Sequence, residues 1–258
     1  MKAGLNLWSL QKFIKTEEDF LNTALKLKDM GYDFLQFSGA PYDPELIKRV
    51  VDASGMPVVL THAPLDKILQ EPEKLTEEHL SFGCQNIGLG TIKKVNMADD
   101  DTWKKTIDEL NVCAEKIKKA GGKFFFHNHH YEMFRFKNGQ RVIDYMIENA
   151  PNFNFTLDSY WLQVAGCDPL AIADKVKGRM DCVHLKDCKV YRKIDEQGNI
   201  EFKAHYAPLG EGSMDFKQII KKWTDCGAKY FLVEQDDAYA YPEPFEQVKI
   251  SIEYLKKI

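Results

Sequence analysis

The sequence predicts an α/β fold, a (β/α)8 TIM barrel, formed as a single domain by residues 1–258. Eight short apolar runs alternate along the chain with amphipathic segments, as parallel strands alternate with the helices that cover them. The chain has 258 residues, of which 44% are hydrophobic, and one such barrel typically takes about 250 residues. No linker or change of composition divides the sequence, so one domain is expected.

The eight apolar runs are the predicted strands. They are rich in β-branched and aromatic residues, which favour strands. They lie at residues 3–9, 33–39, 57–63, 85–91, 123–129, 153–159, 181–187 and 229–235. Runs this apolar are typical of strands that are covered on both faces, as in a parallel sheet.

Cap and turn residues mark the first predicted helices. The first helix follows Thr16, where TEED is a capping-box pattern, and stops at Gly31. The second lies between Asp43 and Gly55, with a proline at its first position and the glycine just past its last. A third, short helix is predicted near residues 76–83.

The later helices show similar signals. The fourth has an apolar stripe at 4, 3, 4, 3 spacing and ends at the glycines 121–122. The stripe consists of Trp103, Ile107, Leu110, Ala114 and Ile117. Asp168, followed by proline, opens the sixth helix. The one long connection, residues 187–213, is predicted to contain a small hairpin with its turn at residues 197–199, and long loops on a barrel are usually functional.

Composition excludes several classes of protein. The net charge of -4 and the pI of about 6.0 argue against nucleic-acid binding by phosphate neutralisation. No apolar run approaches the roughly 20 residues that span a membrane. The N-terminal segment lacks the features of a signal peptide. The six cysteines are scattered without a CxxC motif, so we expect reduced thiols in a cytoplasmic protein.

Polar residues follow the predicted strands at the end where barrel active sites lie. These residues are His62 after the third strand, His127, Asn128 and His129 after the fifth, Asp158 after the sixth, His184 and Lys186 after the seventh, and Glu234 after the eighth. Histidine and carboxylate together suit a divalent metal. The sequence therefore predicts a metal site at the barrel mouth, with the metal open among Mn, Co, Zn, Mg and Fe.

The stretch FFFHNHHYEM concentrates three histidines directly after an apolar run. Alternate side chains of a strand share a face, so His127 and His129 are expected to point together, with Asn128 opposite. We expect this pair to face the barrel mouth, one as metal ligand and the other as substrate contact. His130 is expected to turn away.

Five segments carry a family resemblance. LDSYWLQVAGCDP (157–169), RMDCVHLKD (179–187), LGEGSMDF (209–216), FLVEQD (231–236) and HNHHYEM (127–133) resemble the xylose-isomerase-like TIM barrel superfamily. Within it they look like the sugar phosphate isomerase/epimerase branch, whose relatives include inosose dehydratase, hydroxypyruvate isomerase and endonuclease IV. The resemblance is strong over 120–240 and weaker over 1–90.

The resemblance implies one divalent metal held by a Glu, an Asp, a His and a second Glu at the ends of strands five to eight. Asp158, His184 and Glu234 match the last three positions. At the first position His127 stands where many relatives have Glu, and Glu132 is the nearest carboxylate. Either the metal takes His127 or Glu132 reaches back from the loop; we favour His127.

The expected chemistry is removal of a proton beside a carbonyl, with the metal stabilising the enediolate. Glu234 is the leading base, with His129 and Glu132 as helpers, and Lys186 would stabilise negative charge or, as the alternative, form a salt bridge to Asp187 or Glu211. His62 is a candidate substrate contact. Trp161 and Trp8 either form an apolar wall against a sugar or belong to the core. Asp181 and Asp187 are expected to be surface or capping groups, and Gln36 to be structural.

The favoured function is a metal-dependent isomerase or epimerase of a sugar or sugar derivative. The alternative is a dehydratase or lyase of a keto-sugar or keto-inositol, because the epimerases use two Glu ligands to shuttle the proton and His127 replaces one of them. A DNA-repair endonuclease or a non-catalytic sugar-binding barrel is less favoured. The expected partner is a small-molecule carbohydrate, with no nucleic acid and no membrane; a homo-oligomer is an expectation from the family.

Overall fold

A computed structural model of the protein describes residues 1–258. Eight parallel strands form one sheet. These strands are β1 (Gly4–Asn6), β2 (Phe34–Phe37), β3 (Val58–His62), β4 (Asn86–Leu89), β5 (Lys123–His127), β6 (Asn154–Thr156), β7 (Cys182–Leu185) and β10 (Tyr230–Val233). Their order in the sheet is β6-β5-β4-β3-β2-β1-β10-β7. All eight predicted strands are confirmed, and each lies within its predicted run.

The two end strands of this sheet, β6 and β7, complete the barrel. Asp158 and His184 form an isolated parallel bridge between them, and the backbone N–H of His184 donates to the carbonyl of Leu157 at 2.8 Å. The structure is therefore the (β/α)8 barrel that the sequence predicts, closed at a seam between β6 and β7.

Helices separate the strands along the chain. They are α1 (Glu17–Met30), α2 (Pro44–Ser54), α3 (Leu65–Gln70), α4 (Pro72–Ser81), α5 (Asp100–Lys119), α6 (Val142–Asn149), α7 (Ser159–Val164), α8 (Pro169–Lys175), α9 (Phe216–Cys226) and α10 (Pro244–Leu255). None of them combines the length and the apolar character that crossing a lipid bilayer requires.

The predicted boundaries are confirmed for the first helix but not for the third. The side chain of Thr16 accepts a hydrogen bond from the backbone N–H of Asp19, and Gly31 ends α1 with φ of 98°. The prediction of a helix near 76–83 is wrong in its extent. Pro72, at the first position of α4, starts that helix four residues earlier, and α3 precedes it.

The core has two parts. A cluster of 59 buried residues fills the space between the strands and the helices. A second cluster of six residues comes from β2, β3, β5, β7 and β10 and fills the barrel interior. Its members are Phe34, Val59, Leu60, Phe125, Cys182 and Leu232. This apolar plug leaves the polar strand ends above it to form the mouth of the barrel.

The long connection forms a hairpin, as predicted. Strands β8 (Asp187–Ile194) and β9 (Ile200–Ala207) pair antiparallel. Asp195 accepts hydrogen bonds from the backbone N–H groups of Gln197 and Asn199, and Gly198 takes a φ of 80°. The hairpin begins two residues after β7, so its base lies beside the barrel mouth.

Candidate metal centre and active site

Four side chains converge at the barrel mouth. One potential ligand atom from each of His127, Asp158, His184 and Glu234 lies within 4.8 Å of those of the others. His127 ends β5, Asp158 lies two residues after β6, His184 lies within β7, and Glu234 directly follows β10. All four are buried. The structure thus brings together the four residues expected as metal ligands.

The donor atoms of this cluster fit a divalent metal. Nε2 of His184 lies 2.7 Å from Oε1 of Gln36, an acceptor, so Nε2 carries a proton and Nδ1 is the ring nitrogen that faces the cluster. Its Nδ1 is buried without a hydrogen-bond partner, although Oε2 of Glu234 is 2.8 Å away. This nitrogen faces two buried carboxylates and lies beside a second histidine. Together these groups form a donor set suited to a transition metal.

Neighbouring groups hold each carboxylate in place. The side-chain amide of Asn6 donates to Oε1 of Glu234 at 2.7 Å. Oδ1 of Asp158 accepts from the backbone N–H of Trp161 at 2.9 Å, and the backbone N–H of Asp158 donates to Oδ1 of Asn128 at 3.0 Å. Such outer contacts orient metal-binding side chains. Sequence reasoning missed Asn6, although it ends β1 in the same way that the other site residues end their strands.

Lys186 places a buried cation against the cluster. Its Nζ lies 2.7 Å from Asp236, 3.2 Å from Glu234 and 3.4 Å from Asp158, with only 1% of the residue exposed. The suggested alternative partners of Lys186, Asp187 and Glu211, are wrong. Asp236 was missed, although it lies two residues after Glu234 and hence on the same side of the extended chain.

The charges of this group shift one another's pKa values. Burial alone would lower the pKa of Lys186, but the three carboxylates outweigh it and hold the value well above the ordinary one. Burial favours protonated carboxyls, yet Lys186 and the nearby histidines keep the pKa of Asp158 and of Glu234 below their usual range. Burial likewise opposes a charged His184, and Glu234 and Asp158 raise its pKa to about 9. In the metal-free protein Lys186, His184 and both carboxylates are therefore charged at neutral pH.

A cavity of about 600 Å³ opens beside the cluster. Its lining includes Trp8, His62, His127, His129, Lys186, Glu234 and Asp236. His127 and His129 both line it whereas Asn128 and His130 do not, as strand alternation predicts. Of the two cluster carboxylates, Glu234 lines the cavity and Asp158 does not.

His62 contributes a neutral imidazole to this cavity. Its Nδ1 lies 3.1 Å from the hydroxyl of Ser38, and its Nε2 is buried without a partner. The ring stacks on that of His127 at 5.3 Å. Burial and the neighbouring histidines lower the pKa of His62 well below its ordinary value. The neutral imidazole of His62 can therefore donate a hydrogen bond to a substrate oxygen, or accept one from a substrate hydroxyl, without adding charge to the cavity.

The two candidate tryptophans occupy different places. Trp8 is 39% exposed and lines the cavity. Trp161 does not line it, but packs behind two residues that do. Its ring centroid is 5.2 Å from that of His129 and 5.2 Å from Nζ of Lys186.

Glu132 lies outside the cluster and outside the cavity lining. Its Oε2 accepts a hydrogen bond from the backbone N–H of His129 at 2.7 Å, and its Oε1 is buried without a partner. Burial raises the pKa of Glu132 to about 8. Its position supports the loop that carries His129, and of the two alternatives for the first ligand the geometry favours His127.

Asp187 was expected to be a surface or a capping group, and the structure supports the second of these. It is fully buried and accepts hydrogen bonds from the backbone N–H groups of Cys188, Gly210, Gly212 and Met214. A side chain at Gly212 would collide with the Asp187 carboxylate. Asp187 thus anchors the LGEG loop, a capping role played from inside the protein. Asp181 lies at the N-terminal end of β7, away from the barrel mouth, and pairs with Lys123 and Lys229.

Comparison with known proteins identifies the family. The family model described as xylose isomerase-like TIM barrel matches residues 24–258. The chain belongs to this family. An inosose dehydratase of Clostridium perfringens (strain 13 / Type A) is 27% identical over 168 residues, covering 62% of this chain and 56% of the relative. The chain thus spans little more than half the length of that relative.

Two further relatives align over most of their length. An inosose dehydratase of Klebsiella pneumoniae subsp. pneumoniae is 23% identical over 248 residues, covering 84% of this chain and 82% of the relative. A crystal structure of a sugar phosphate isomerase/epimerase from Parabacteroides distasonis ATCC 8503 superposes with a TM-score of 0.80 at 23% identity, covering 99% of this chain and 93% of that one. The structural likeness supports the fold.

Proposed function

We propose that this protein is a divalent-metal-dependent enzyme that modifies a sugar or sugar derivative by removing a proton from the carbon beside a carbonyl group. The favoured outcome is isomerisation or epimerisation. The observation that supports it best is the buried cluster of His127, Asp158, His184 and Glu234, two members of which, His127 and Glu234, line a cavity of about 600 Å³ beside a buried lysine. That volume is in the range of small-molecule sites.

The roles follow from which groups reach the cavity. A divalent ion held by the four residues would act as a Lewis acid toward neighbouring substrate oxygens. Glu234 lines the cavity and is ionised, so its carboxylate is placed to accept the proton from the substrate carbon. The electron pair of that C–H bond moves to the carbonyl oxygen, whose negative charge the Lys186 ammonium stabilises.

The fate of the proton decides the reaction. Its return to the other face of the same carbon gives epimerisation, and its return to the adjacent carbon gives isomerisation. His129 and the neutral His62 line the same cavity and would hold substrate hydroxyls during the transfer. Trp8 offers an apolar surface at the cavity edge.

A dehydratase acting on a keto-sugar or keto-inositol is the second candidate. His127 stands at the position where the family's epimerases carry a carboxylate, so the cluster retains one carboxylate that reaches the cavity. One base is sufficient when the electron pair expels a hydroxyl from the neighbouring carbon. The inosose dehydratases among the relatives favour the same candidate.

Metal content is the first test of this proposal. Elemental analysis of the purified protein is expected to find about one divalent metal per chain, lost in His127→Ala and retained in Glu132→Ala. His130→Ala, in the same loop but exposed, is the matched control and should keep the metal. Absence of metal even after addition of Mn²⁺ or Zn²⁺ would contradict the proposal and leave a sugar-binding barrel.

Hydrogen–deuterium exchange then separates the reactions. Incubation with candidate keto-sugars in D₂O should introduce deuterium beside the carbonyl, detected by NMR, for either enzyme. Release of water with an enone product identifies the dehydratase. No exchange with a metal-loaded protein, over a broad panel of keto-sugars, would argue against both.

A further inference from the structure

A second concave surface lies next to the catalytic cavity. It encloses about 580 Å³ and is called here the apolar subsite. It is lined by His130, Tyr131, Met133, Phe134, Trp161, Val164 and Ala165. Phe134 is 55% exposed and Val164 39% exposed. Single exposed apolar residues are ordinary, but a contiguous apolar depression marks a binding surface.

No residue lines both spaces, but residues of the apolar subsite contact residues of the catalytic cavity. Trp161 lines the subsite, and its ring also packs against His129 and Lys186, both of which line the cavity. Tyr131 lines the subsite too, and its hydroxyl bonds to Nδ1 of His129 at 3.0 Å and to Thr91 of the cavity wall. The His129 side chain and its aromatic neighbours Tyr131 and Trp161 therefore lie between the two spaces.

The position of Trp161 is set by the cluster itself. Asp158 is the N-cap of α7, and its carboxylate accepts the backbone N–H of Trp161. The residue that places a carboxylate among the potential metal ligands thus also fixes the indole that walls the subsite. A ligand group in the subsite would contact the same short helix that orders the catalytic centre.

We propose that the apolar subsite binds an apolar, preferably aromatic, substituent of the substrate, so that the substrate class is a keto-glycoside with an aromatic aglycone. This inference rests on the proposed function. No Lys, Arg, Asp or Glu lines the subsite, so it does not suit a phosphate or another charged group. Aromatic rings such as Trp161 and Tyr131 stack well on another ring.

Size favours a small ligand over a protein. A volume of about 580 Å³ falls within the roughly 300–1,000 Å³ of small-molecule sites. A stable protein interface takes about 20–30 residues on each side, and seven residues line this depression. A second copy of the chain would therefore need a much wider apolar face than this one.

The test compares two substrates that differ only in the aglycone. The probes are methyl and phenyl 3-keto-β-D-glucopyranoside, and the readout is kcat/KM for deuterium incorporation beside the carbonyl. The phenyl compound is expected to be preferred about tenfold. Phe134→Ser should reduce the preference to about threefold or less by acting on the phenyl compound alone. Val190→Ser, which is equally exposed on the hairpin at 58%, is the control and should change neither.

Equal kcat/KM for the two probes would overturn the subsite while leaving the proposed function intact. An equal loss for both probes in Phe134→Ser would overturn it too. If neither probe reacts, the proposed function fails on these sugars, and binding of phenyl and methyl β-D-glucoside, followed by tryptophan fluorescence, decides the subsite. Tighter phenyl binding that Phe134→Ser abolishes supports it; equal binding, or a dimer that Phe134→Ser dissociates in sedimentation, overturns it.

Discussion

Replacement of Lys186 by methionine is the most direct test of the buried electrostatics. Methionine keeps much of the side-chain length but removes the charge that faces Asp158, Glu234 and Asp236 at 3.4, 3.2 and 2.7 Å. The residue is 1% exposed, so water cannot replace the lost ammonium. Removing one partner of a buried ion pair costs about 3–5 kcal/mol, and we expect a loss of that order in the free energy of unfolding of the metal-free protein.

The pH dependence of this loss has a definite sign. The pKa of Lys186 is raised in the folded state, so its contribution is complete at neutral pH and is lost only as the pH rises through that raised value. The pKa values of Asp158 and Glu234 are lowered, so their contribution is present above the ordinary carboxyl range and is lost as the pH falls through the lowered values. The difference in the free energy of unfolding between Lys186→Met and the wild type should be largest near pH 7 and should become smaller toward acid pH.

Urea denaturation followed by circular dichroism, with a chelator present, measures the difference. Lys189→Met is the control, because Lys189 pairs with Glu211 at 3.4 Å with both side chains over a third exposed, and such pairs contribute less than about 1 kcal/mol. A loss in Lys186→Met no larger than in Lys189→Met would refute the reasoning. Mn²⁺ should restore more stability to Lys186→Met than it adds to the wild type, because it would supply the missing positive charge.

Three further substitutions test the surroundings of the site. Gln36→Leu removes the acceptor for Nε2 of His184 and should weaken Mn²⁺ binding about 10–100-fold in calorimetric titration; unchanged affinity would contradict that role. The raised pKa of Glu132, about 8 against an ordinary 4.5, makes stability fall as the pH rises between these values. Glu132→Gln should abolish that slope and add about 3 kcal/mol at pH 7, and an unaltered pH profile would count against it. Asp187→Ala leaves four backbone amides without their acceptor and should cost about 3 kcal/mol or more in urea titration, whereas a loss below about 1 kcal/mol would show that water replaces the carboxylate.

The predictable part of the site is the part that depends on strand ends. Once eight apolar runs are recognised, the fold requires that their C-terminal ends converge, and the residues that follow the runs must then meet. His127, Asp158, His184 and Glu234 were found in this way, far apart in the chain but close in the structure. This convergence depends only on the order of strands and helices, which short-range sequence patterns reveal.

What the sequence did not reveal depends on contacts across the barrel. Gln36 was expected to be structural, yet it contacts His184 across 148 positions of the sequence. Asn6 reaches Glu234 across 228 positions. Nothing local to either residue indicates its partner, because the register of strands on opposite sides of a barrel follows from tertiary packing. The burial of Asp187 was missed for a similar reason, because the loop that it caps returns to it only after the hairpin.

The seam between β6 and β7 gives the barrel a clasp. Asp158 and His184 form the isolated bridge that joins these two strands, and the same two side chains belong to the candidate metal cluster. An ion that bound both side chains would hold β6 and β7 together. The affinity for the ion and the closed state of the barrel would therefore be linked reciprocally. A change that separates β6 from β7 would therefore weaken ion binding. A bound ion would in turn slow the local opening of the barrel between these two strands, which a single isolated bridge joins.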